Sequence, residues 1–104
     1  MLVNRRTFIV TKPHFEEALD LLVKARQMTQ ESRPDAVFRI YASEYGPFDT
    51  IAYEYESASL ATLEQEMSAM GEDPEATERF ATWFKRWQEV TAPGGTNEIW
   101  RLVE

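Results

Sequence analysis

The sequence contains no cysteine and only one histidine, His14. Without cysteine the chain has no disulfide, no thiolate metal site and no cysteine nucleophile. A single histidine excludes histidine-based metal clusters and paired-histidine mechanisms within one chain. A Ser-His-Asp triad lacks any motif that would name its serine, so we interpret His14 as an exposed residue at the start of a helix. We therefore predict no metal site and no cofactor.

Basic residues are also scarce, since 11 Lys and Arg stand against 18 Asp and Glu and the formal net charge is −7. Nucleic acids and anionic membrane surfaces both attract clustered Lys and Arg, so neither is an expected partner. No apolar run approaches the length of a membrane span. The N-terminal residues lack the apolar core of a secretory signal, and the cytoplasm is the expected compartment.

Residues 37–56 are the richest in strand-forming side chains and predict a β-hairpin. Its turn is expected at residues 46–49, because Pro47 lacks a donor and Gly46 tolerates a positive φ. A four-residue turn sets Tyr45 opposite Thr50 and Tyr41 opposite Glu54. One face of the hairpin is then a helix-covered core face, and the other is polar with several aromatic rings. The first carries Phe38, Ile40, Ala42, Ile51, Tyr53 and Tyr55, and the second carries Val37, Arg39, Tyr41, Ser43, Ala52, Glu54 and Glu56.

The remaining elements follow from hydrophobic spacing and capping residues. The patterns predict a strand over 2–10, a helix with Pro13 in its first turn, and a closing strand over 97–103 after the stop at 93–95. Two helices are expected between the hairpin and that strand, separated at Gly71. Ser57 and Ser59 are candidate caps of the first, and Asp73 is the N-cap of the second. The predicted buried stripes of the three helices are Phe15, Ala18, Leu19, Leu22 and Ala25; Leu60, Leu63, Met67 and Met70; and Ala76, Phe80, Trp83, Phe84 and Trp87.

This β-α-β-β-α-β order with a split second helix predicts one domain over 1–104 with an α+β, ferredoxin-like fold. Right-handed crossovers give a four-stranded antiparallel sheet in the order 4-1-3-2, with the helices on one face. The opposite face carries Val37, Tyr41 and Tyr45, together with Trp100 and Leu102 or else Ile99 and Val103. So much apolar surface favours a homodimer in which a second copy covers it.

Several segments taken in order resemble the NIPSNAP family of the dimeric α/β-barrel superfamily. They are NRRTF, SEYGPFDTIAYEYES, SLATLE and GGTNEIWRLV, and the resemblance covers nearly the whole chain. Two positions differ: residues 12–15 replace the family's Lys-Pro-Gly-Lys loop, and Tyr53 stands where many members carry a histidine. The resemblance implies two sheets that close into a barrel across a dimer. It does not specify an activity, because the superfamily includes monooxygenases, isomerases, peroxidase-related domains and members without an assigned function.

Four residues are candidates for binding a small aromatic or polar-aromatic molecule inside that barrel: Arg6, Tyr41, Glu54 and Trp100. We expect Arg6 and Glu54 on adjacent central strands, where low solvent access strengthens their hydrogen bonds near Tyr41. Cross-strand ion pairing and edge protection are the alternative interpretation of these charges. Glu54 is either a proton acceptor or a salt-bridge partner, and no catalytic residue is assigned.

Three functions are consistent with these patterns. The leading hypothesis is a homodimeric barrel that encloses a small-molecule pocket, and its enzymatic version is a cofactor-free oxygenase or isomerase. The second is a non-catalytic ligand-binding or stress-related protein that uses the same cavity. The third is a structural dimer whose lumen is filled by side chains. An open cavity lined by Arg6, Tyr41 and Glu54 favours the first two hypotheses, and a packed lumen favours the third.

Overall fold

The computed structural model describes all residues, 1–104. Its elements are β1 (Leu2–Val10), α1 (Phe15–Ser32), β2 (Phe38–Ala42), β3 (Thr50–Ser57), α2 (Leu60–Ala69), α3 (Pro74–Val90) and β4 (Thr91–Arg101). The strands pair antiparallel in one sheet with the order β2-β3-β1-β4, which is the predicted order read from the other edge. The predicted ferredoxin-like α+β fold with a divided second helix is confirmed. None of the helices combines the length and the apolar character needed to cross a membrane.

The helix starts follow the predicted capping residues. The Ser59 side chain accepts a hydrogen bond from the Thr62 amide at 3.1 Å, and Asp73 accepts one from the Glu75 amide at 3.0 Å. Both bonds satisfy amides that have no partner inside the helix. His14 occupies the N-cap position of α1, which confirms its prediction as a helix-start residue, although it is half-buried rather than exposed. The prediction of Pro13 in the first turn is wrong, because the helix begins at Phe15.

The β2–β3 hairpin differs from the predicted pairing by two residues. Ala42 pairs with Ile51 and Tyr41 with Ala52, so the predicted pairing of Tyr41 with Glu54 is wrong. The hydrogen-bond ladder ends at Ser43 and Thr50, where the Ser43 amide donates to the Thr50 carbonyl at 3.0 Å, so the connecting loop is longer than the predicted four residues. Tyr45 therefore lies in the connecting loop and is 96% exposed, so its prediction as a strand residue is also wrong. The predicted faces are confirmed, since a shift of two residues returns each side chain to the same side.

The core lies between α1, α3 and one face of the sheet. Its aromatic centre is Phe8, whose ring lies edge-on to Trp87 at 4.8 Å and stacks with Tyr53 at 6.0 Å between centroids. Trp83 also joins the helices directly, because its indole donates to the Leu21 carbonyl at 2.7 Å. These contacts bury a cluster that contains Val10, Ala18, Leu21, Leu22, Ile51, Trp87 and Val90. We refer to this side of the sheet as the helix-covered face.

The predicted buried stripes of the second helical unit are only partly buried. On α2, Leu63 is buried, whereas Leu60, Met67 and Met70 are exposed. On α3, Trp87 is buried and Phe84 is 42% exposed, and Phe80 is exposed as well. The reason is that α2 packs mainly against β3, and α3 packs mainly against α1 and β4. No other element of the chain covers their outer sides.

The last strand begins directly after α3 and contains a bulge. Residues 93–95 belong to β4 rather than to a stop before it, and the strand ends at Arg101, so the predicted bounds of 97–103 are wrong. The register against β1 shifts between Thr7 and Ile9. Pro93 is tolerated because β4 is an edge strand, where a missing donor breaks no inner ladder. Gly95 lies so close to β1 that a Cβ there would stand 2.2 Å from the Thr7 carbonyl oxygen.

Candidate functional site

One face of the sheet carries no helix. Side chains of all four strands alternate onto it, and directly paired residues share it. We call this surface the open face. It is formed by Val3, Arg5, Thr7 and Ile9 of β1, Arg39 and Tyr41 of β2, Ala52, Glu54 and Glu56 of β3, and Thr96, Glu98 and Trp100 of β4.

Glu54 is the centre of the polar contacts on the open face. Its Oε2 lies 3.2 Å from Arg5 Nε, and its Oε1 accepts a hydrogen bond from the Tyr41 hydroxyl at 2.8 Å. The Arg5 guanidinium also lies 5.8 Å from the centroid of the Tyr41 ring. The hydrogen bond to Glu54, reinforced by loss of solvent, raises the pKa of Tyr41 above its ordinary value of 10.0. Tyr41 is therefore a neutral phenol at physiological pH and donates rather than accepts at this position.

A second polar group lies on the β4 side of the same face. Trp100 Nε1 donates to Glu98 Oε2 at 3.1 Å, and the Thr7 and Thr96 hydroxyls lie 2.6 Å apart. Arg5 pairs in register with both Glu54 and Glu98, so it stands between the two carboxylates. The indole of Trp100 is 59% exposed although its N–H is bonded. The open face thus combines aromatic surface with hydrogen-bonding groups held by their neighbours.

Three of the four predicted site residues, Tyr41, Glu54 and Trp100, lie on the open face. Arg6 does not, because it pairs with Tyr53 and points to the helix-covered face. The predicted placement of Arg6 beside Glu54 is wrong, and Arg5 takes that position. Neighbouring residues of a strand point to opposite faces, so two consecutive arginines give two different placements.

Sequence reasoning missed Arg5 and Glu98 as members of this surface. For Arg5, the sequence did contain a signal: Phe8, two positions after Arg6, is a typical core residue. The period of two in a strand places Arg6 with Phe8 and leaves Arg5 on the other face. No comparable local signal identified Glu98 as the neighbour of Arg5, because that pairing depends on the register shift in β4.

A separate polar cluster lies on the helix-covered face. The Tyr55 hydroxyl donates to Glu66 Oε2 at 2.5 Å, and Arg33 contacts both the hydroxyl and that carboxylate. The Arg33 guanidinium lies 5.0 Å from the centroid of the Tyr55 ring. Burial, followed by the hydrogen bond to Glu66, raises the pKa of Tyr55 to about 12. This cluster connects the end of α1, β3 and α2, which gives it a structural role.

The Tyr55 cluster predicts a specific alkaline dependence of stability. Folding raises the pKa of Tyr55, so the contribution of this tyrosine to the free energy of unfolding is complete below its ordinary pKa of 10.0. That contribution is lost as the pH rises to about 12. We expect the wild-type free energy of unfolding to fall more steeply across this window than that of Tyr55→Phe. Urea unfolding at a series of pH values measures both slopes. Tyr45→Phe, a change at an exposed loop position, is the control and should keep the wild-type slope; parallel curves for wild type and Tyr55→Phe would contradict the cluster.

The hollows on the outer sides of α2 and α3 are poor candidates for a small-molecule site. No three His, Asp or Glu side chains converge in an arrangement that would hold a metal ion. A hollow on the outer side of α3 is lined only by Glu75, Glu78, Arg79 and Thr82. It lacks the apolar walls that small-molecule sites usually have. The open face therefore remains the strongest candidate.

The fold and this surface define a class: a ferredoxin-like α+β protein with an uncovered polar-aromatic sheet face. Solved structures of NIPSNAP proteins have the same fold. One from Burkholderia xenovorans has a TM-score of 0.78 and 13% identity, with 99% of this chain and 95% of that chain covered. One from Agrobacterium tumefaciens has a TM-score of 0.77 and 16% identity, with 96% and 90% covered. The predicted NIPSNAP resemblance is thus confirmed at the level of the fold.

The fold also occurs in an oxygenase. SnoaB from Streptomyces nogalater, a cofactor-independent oxygenase, has a TM-score of 0.68 and 8% identity, with 99% of this chain and 93% of that chain covered. No protein-family profile matches the sequence, and no curated protein sequence is significantly similar to it. Because the fold hosts different activities, the function has to be argued from the residues of the open face.

Proposed function

We propose that two copies of the chain pack open face to open face and enclose a small, neutral polar-aromatic molecule between their sheets. The observation that carries this proposal is the Tyr41–Glu54–Arg5 contact set, which lies on a sheet face that no helix covers. When a second copy covers the open face, water is removed and the local dielectric falls, which strengthens these hydrogen bonds. The set then presents ordered polar groups to a ligand without further rearrangement.

The chemistry of the surface favours a neutral ligand. Its charged side chains are two arginines and three glutamates, and Arg5 and Arg39 are already paired with Glu54 and Glu56. No cation is left unpaired there to attract a strongly anionic molecule. The rings of Tyr41 and Trp100 supply aromatic surface, which suits stacking with an aromatic ligand.

The apolar part of the open face supports the proposed dimer. Val3, Ile9 and Ala52 lie among the polar residues, and Tyr41 and Trp100 are exposed large side chains in the single chain. A second copy covers such a surface with an identical one, as twofold dimers do. Light scattering is expected to give about twice the chain mass of 12.1 kDa at micromolar concentration. The mass of one chain would overturn the proposal.

A cofactor-free oxygenase or isomerase is the second candidate. It is supported by the fold that this chain shares with SnoaB and by the carboxylate of Glu54 beside an aromatic surface. Both oxygens of Glu54 already have partners, one in Arg5 and one in Tyr41. That arrangement suits the positioning of a ligand better than the removal of a proton from it, so binding is the leading proposal.

Ligand binding is tested by titrating phenols, benzamides and quinones while following tryptophan fluorescence. Trp100→Phe assigns the signal to the open face, because Trp83 and Trp87 belong to the other side of the sheet. We expect Glu54→Gln to lower the affinity for the ligand found with the wild type by about tenfold, because the substitution removes the charged partner of Arg5. A dimer that binds none of these compounds would favour the structural function, in which side chains fill the space between the sheets.

Dimerisation gives a further prediction. Tyr41→Asp places a second carboxylate next to Glu54 on the face that must lose water, and we expect the dimer dissociation constant to rise at least about tenfold. Analytical ultracentrifugation over a concentration series measures the change. The matched control is Gln65→Asp, which adds the same charge at an exposed position of α2. Equal effects of the two variants would show that the open face is not the dimer interface.

A further inference from the structure

Arg6 stands in the middle of a row of three side chains on the helix-covered face. It pairs in register with Tyr53 of β3 on one side and with Asn97 of β4 on the other. Directly paired residues have neighbouring Cβ atoms on the same face. Phe8, the next residue of β1 on this face, stacks with Tyr53 at 6.0 Å. The row therefore lies next to the aromatic part of the core.

Arg6 has no partner within the chain. Its Nε is buried and makes no hydrogen bond, and the guanidinium forms no ion pair although the chain has 18 acidic residues. A buried guanidinium N–H without an acceptor is unfavourable, because it has lost water and gained nothing. Most other arginines do form ion pairs with glutamates, namely Arg5, Arg33, Arg39, Arg79 and Arg86.

The neighbours of Arg6 present further donors and no free carboxylate. Asn97 uses its Oδ1 to accept from Asn4 Nδ2 at 2.7 Å, so its own Nδ2 remains available to donate. The pKa of Tyr53 is raised by burial, and only the charge of Arg6 opposes this, so its hydroxyl stays protonated and has no partner in the chain. Two further donors thus stand on the strands on either side of Arg6, and charge-assisted hydrogen bonds of this kind hold a carboxylate.

We propose that Arg6, Tyr53 and Asn97 bind the carboxylate of a small aromatic acid on the helix-covered face. The guanidinium fork matches the two oxygens of a carboxylate, and the exposed side chain of Ile99, on the same face of β4, supplies apolar surface for the aromatic part. The overall charge of −7 disfavours more highly charged anions. This site goes beyond the proposed open-face function, since it lies on the other side of the sheet and selects an anion instead of a neutral molecule.

The edge of the sheet gives access to this row. Asn97 is exposed, and Ile99, on the same face of β4, is exposed as well. The helices therefore leave the β4 side of the helix-covered face open to solvent. A planar acid that enters from this edge meets Asn97 first and Arg6 next.

The test is calorimetric titration of the full chain with benzoate and phenylacetate, with benzyl alcohol as the uncharged analogue and inorganic phosphate as a competing anion. We expect the acids to bind the wild type and Arg6→Met to weaken them by about tenfold or more. Arg6→Met replaces the unpaired guanidinium by an apolar group on a side chain of similar length. The variant should therefore be at least as stable as the wild type in thermal unfolding. Arg101→Met is the matched control: it removes an exposed arginine from the same face of β4 and should leave benzoate affinity unchanged.

Two results would overturn the proposed site as a whole. One is equal benzoate affinity in wild type and Arg6→Met; the other is an absence of binding of both acids to the folded wild type. Phosphate that binds more tightly than benzoate in an Arg6-dependent way would replace the carboxylate assignment by an inorganic oxyanion. An Arg6→Lys variant that keeps full affinity would contradict the two-oxygen contact, because lysine retains the charge and loses the fork.

Discussion

Trp87→Ala is expected to lower the free energy of unfolding by about 3–5 kcal/mol, the largest effect among the substitutions considered. Trp87 is only 4% exposed and lies at the junction of α3, α1 and the sheet. Its ring stacks with Trp83 at 5.2 Å and meets the Phe8 ring at 4.8 Å. Truncation removes apolar contact on both sides and leaves a cavity between elements that cannot collapse fully into it.

Phe84→Ala, on the same helix, is the matched control. Phe84 is 42% exposed, so less of its surface is removed from water on folding, and the expected loss is less than half that of Trp87→Ala. Urea unfolding of both variants at one fixed protein concentration measures the difference; the fixed concentration matters because a dimer gains stability by mass action. Equal losses at the two positions would contradict the packing of α3 described above.

Gly95→Ala is expected to destabilise the fold by about 3 kcal/mol. A Cβ at this position would lie 2.2 Å from the Thr7 carbonyl oxygen and 3.2 Å from its carbonyl carbon. Those atoms are backbone, so no side-chain rotation relieves the clash, and β1 and β4 have to separate locally. The hydrogen bond from the Thr96 amide to the Thr7 hydroxyl, at 3.1 Å, should be lost with that movement.

Thermal unfolding together with hydrogen exchange at the Thr96 amide tests this prediction. Gly71→Ala is the matched control, because a Cβ there meets only the Ser68 carbonyl oxygen at an ordinary 3.7 Å. We expect its stability to stay within about 0.5 kcal/mol of the wild type. A Gly95→Ala protein as stable as the wild type, with unchanged exchange at Thr96, would show that the strands do not approach as closely as described.

The register shift beside Gly95 determines the partners of the β4 side chains but not their face. Between the pairs Thr7–Thr96 and Ile9–Ala92, β4 advances four residues while β1 advances two. Because side chains alternate along a strand, this even shift leaves Glu98 and Trp100 on the open face. It does set Glu98 opposite Arg5 rather than opposite Val3.

The element order, the helix starts and the two faces of the hairpin were predictable because they depend on local patterns. Ser59 and Asp73 cap helices through amides only two or three residues away. The hairpin faces survived the two-residue error in pairing, since a period of two is insensitive to an even shift. The strand order also followed, because right-handed crossovers leave few topologies for this sequence of elements.

Burial on the second helical unit was decided only by the tertiary structure. Met67 and Met70 lie at helical spacing with Leu63, but spacing cannot say whether another element covers them. In this fold α2 packs mainly against β3, so Leu63 is buried and Met67 and Met70 are exposed. The partner of Glu98 likewise depended on a pairing between residues about 90 positions apart.

The two adjacent arginines of β1 show the same division between sequence and structure. The sequence by itself determined that consecutive residues of a strand point to opposite faces, and therefore that each face receives one arginine. Only the tertiary structure decided that Arg5 meets Glu54 on the open face and that Arg6 lies unpaired beside Tyr53. The physical reason is that alternation is a property of the local backbone, whereas the partner of a charge depends on which strands and helices pack around it.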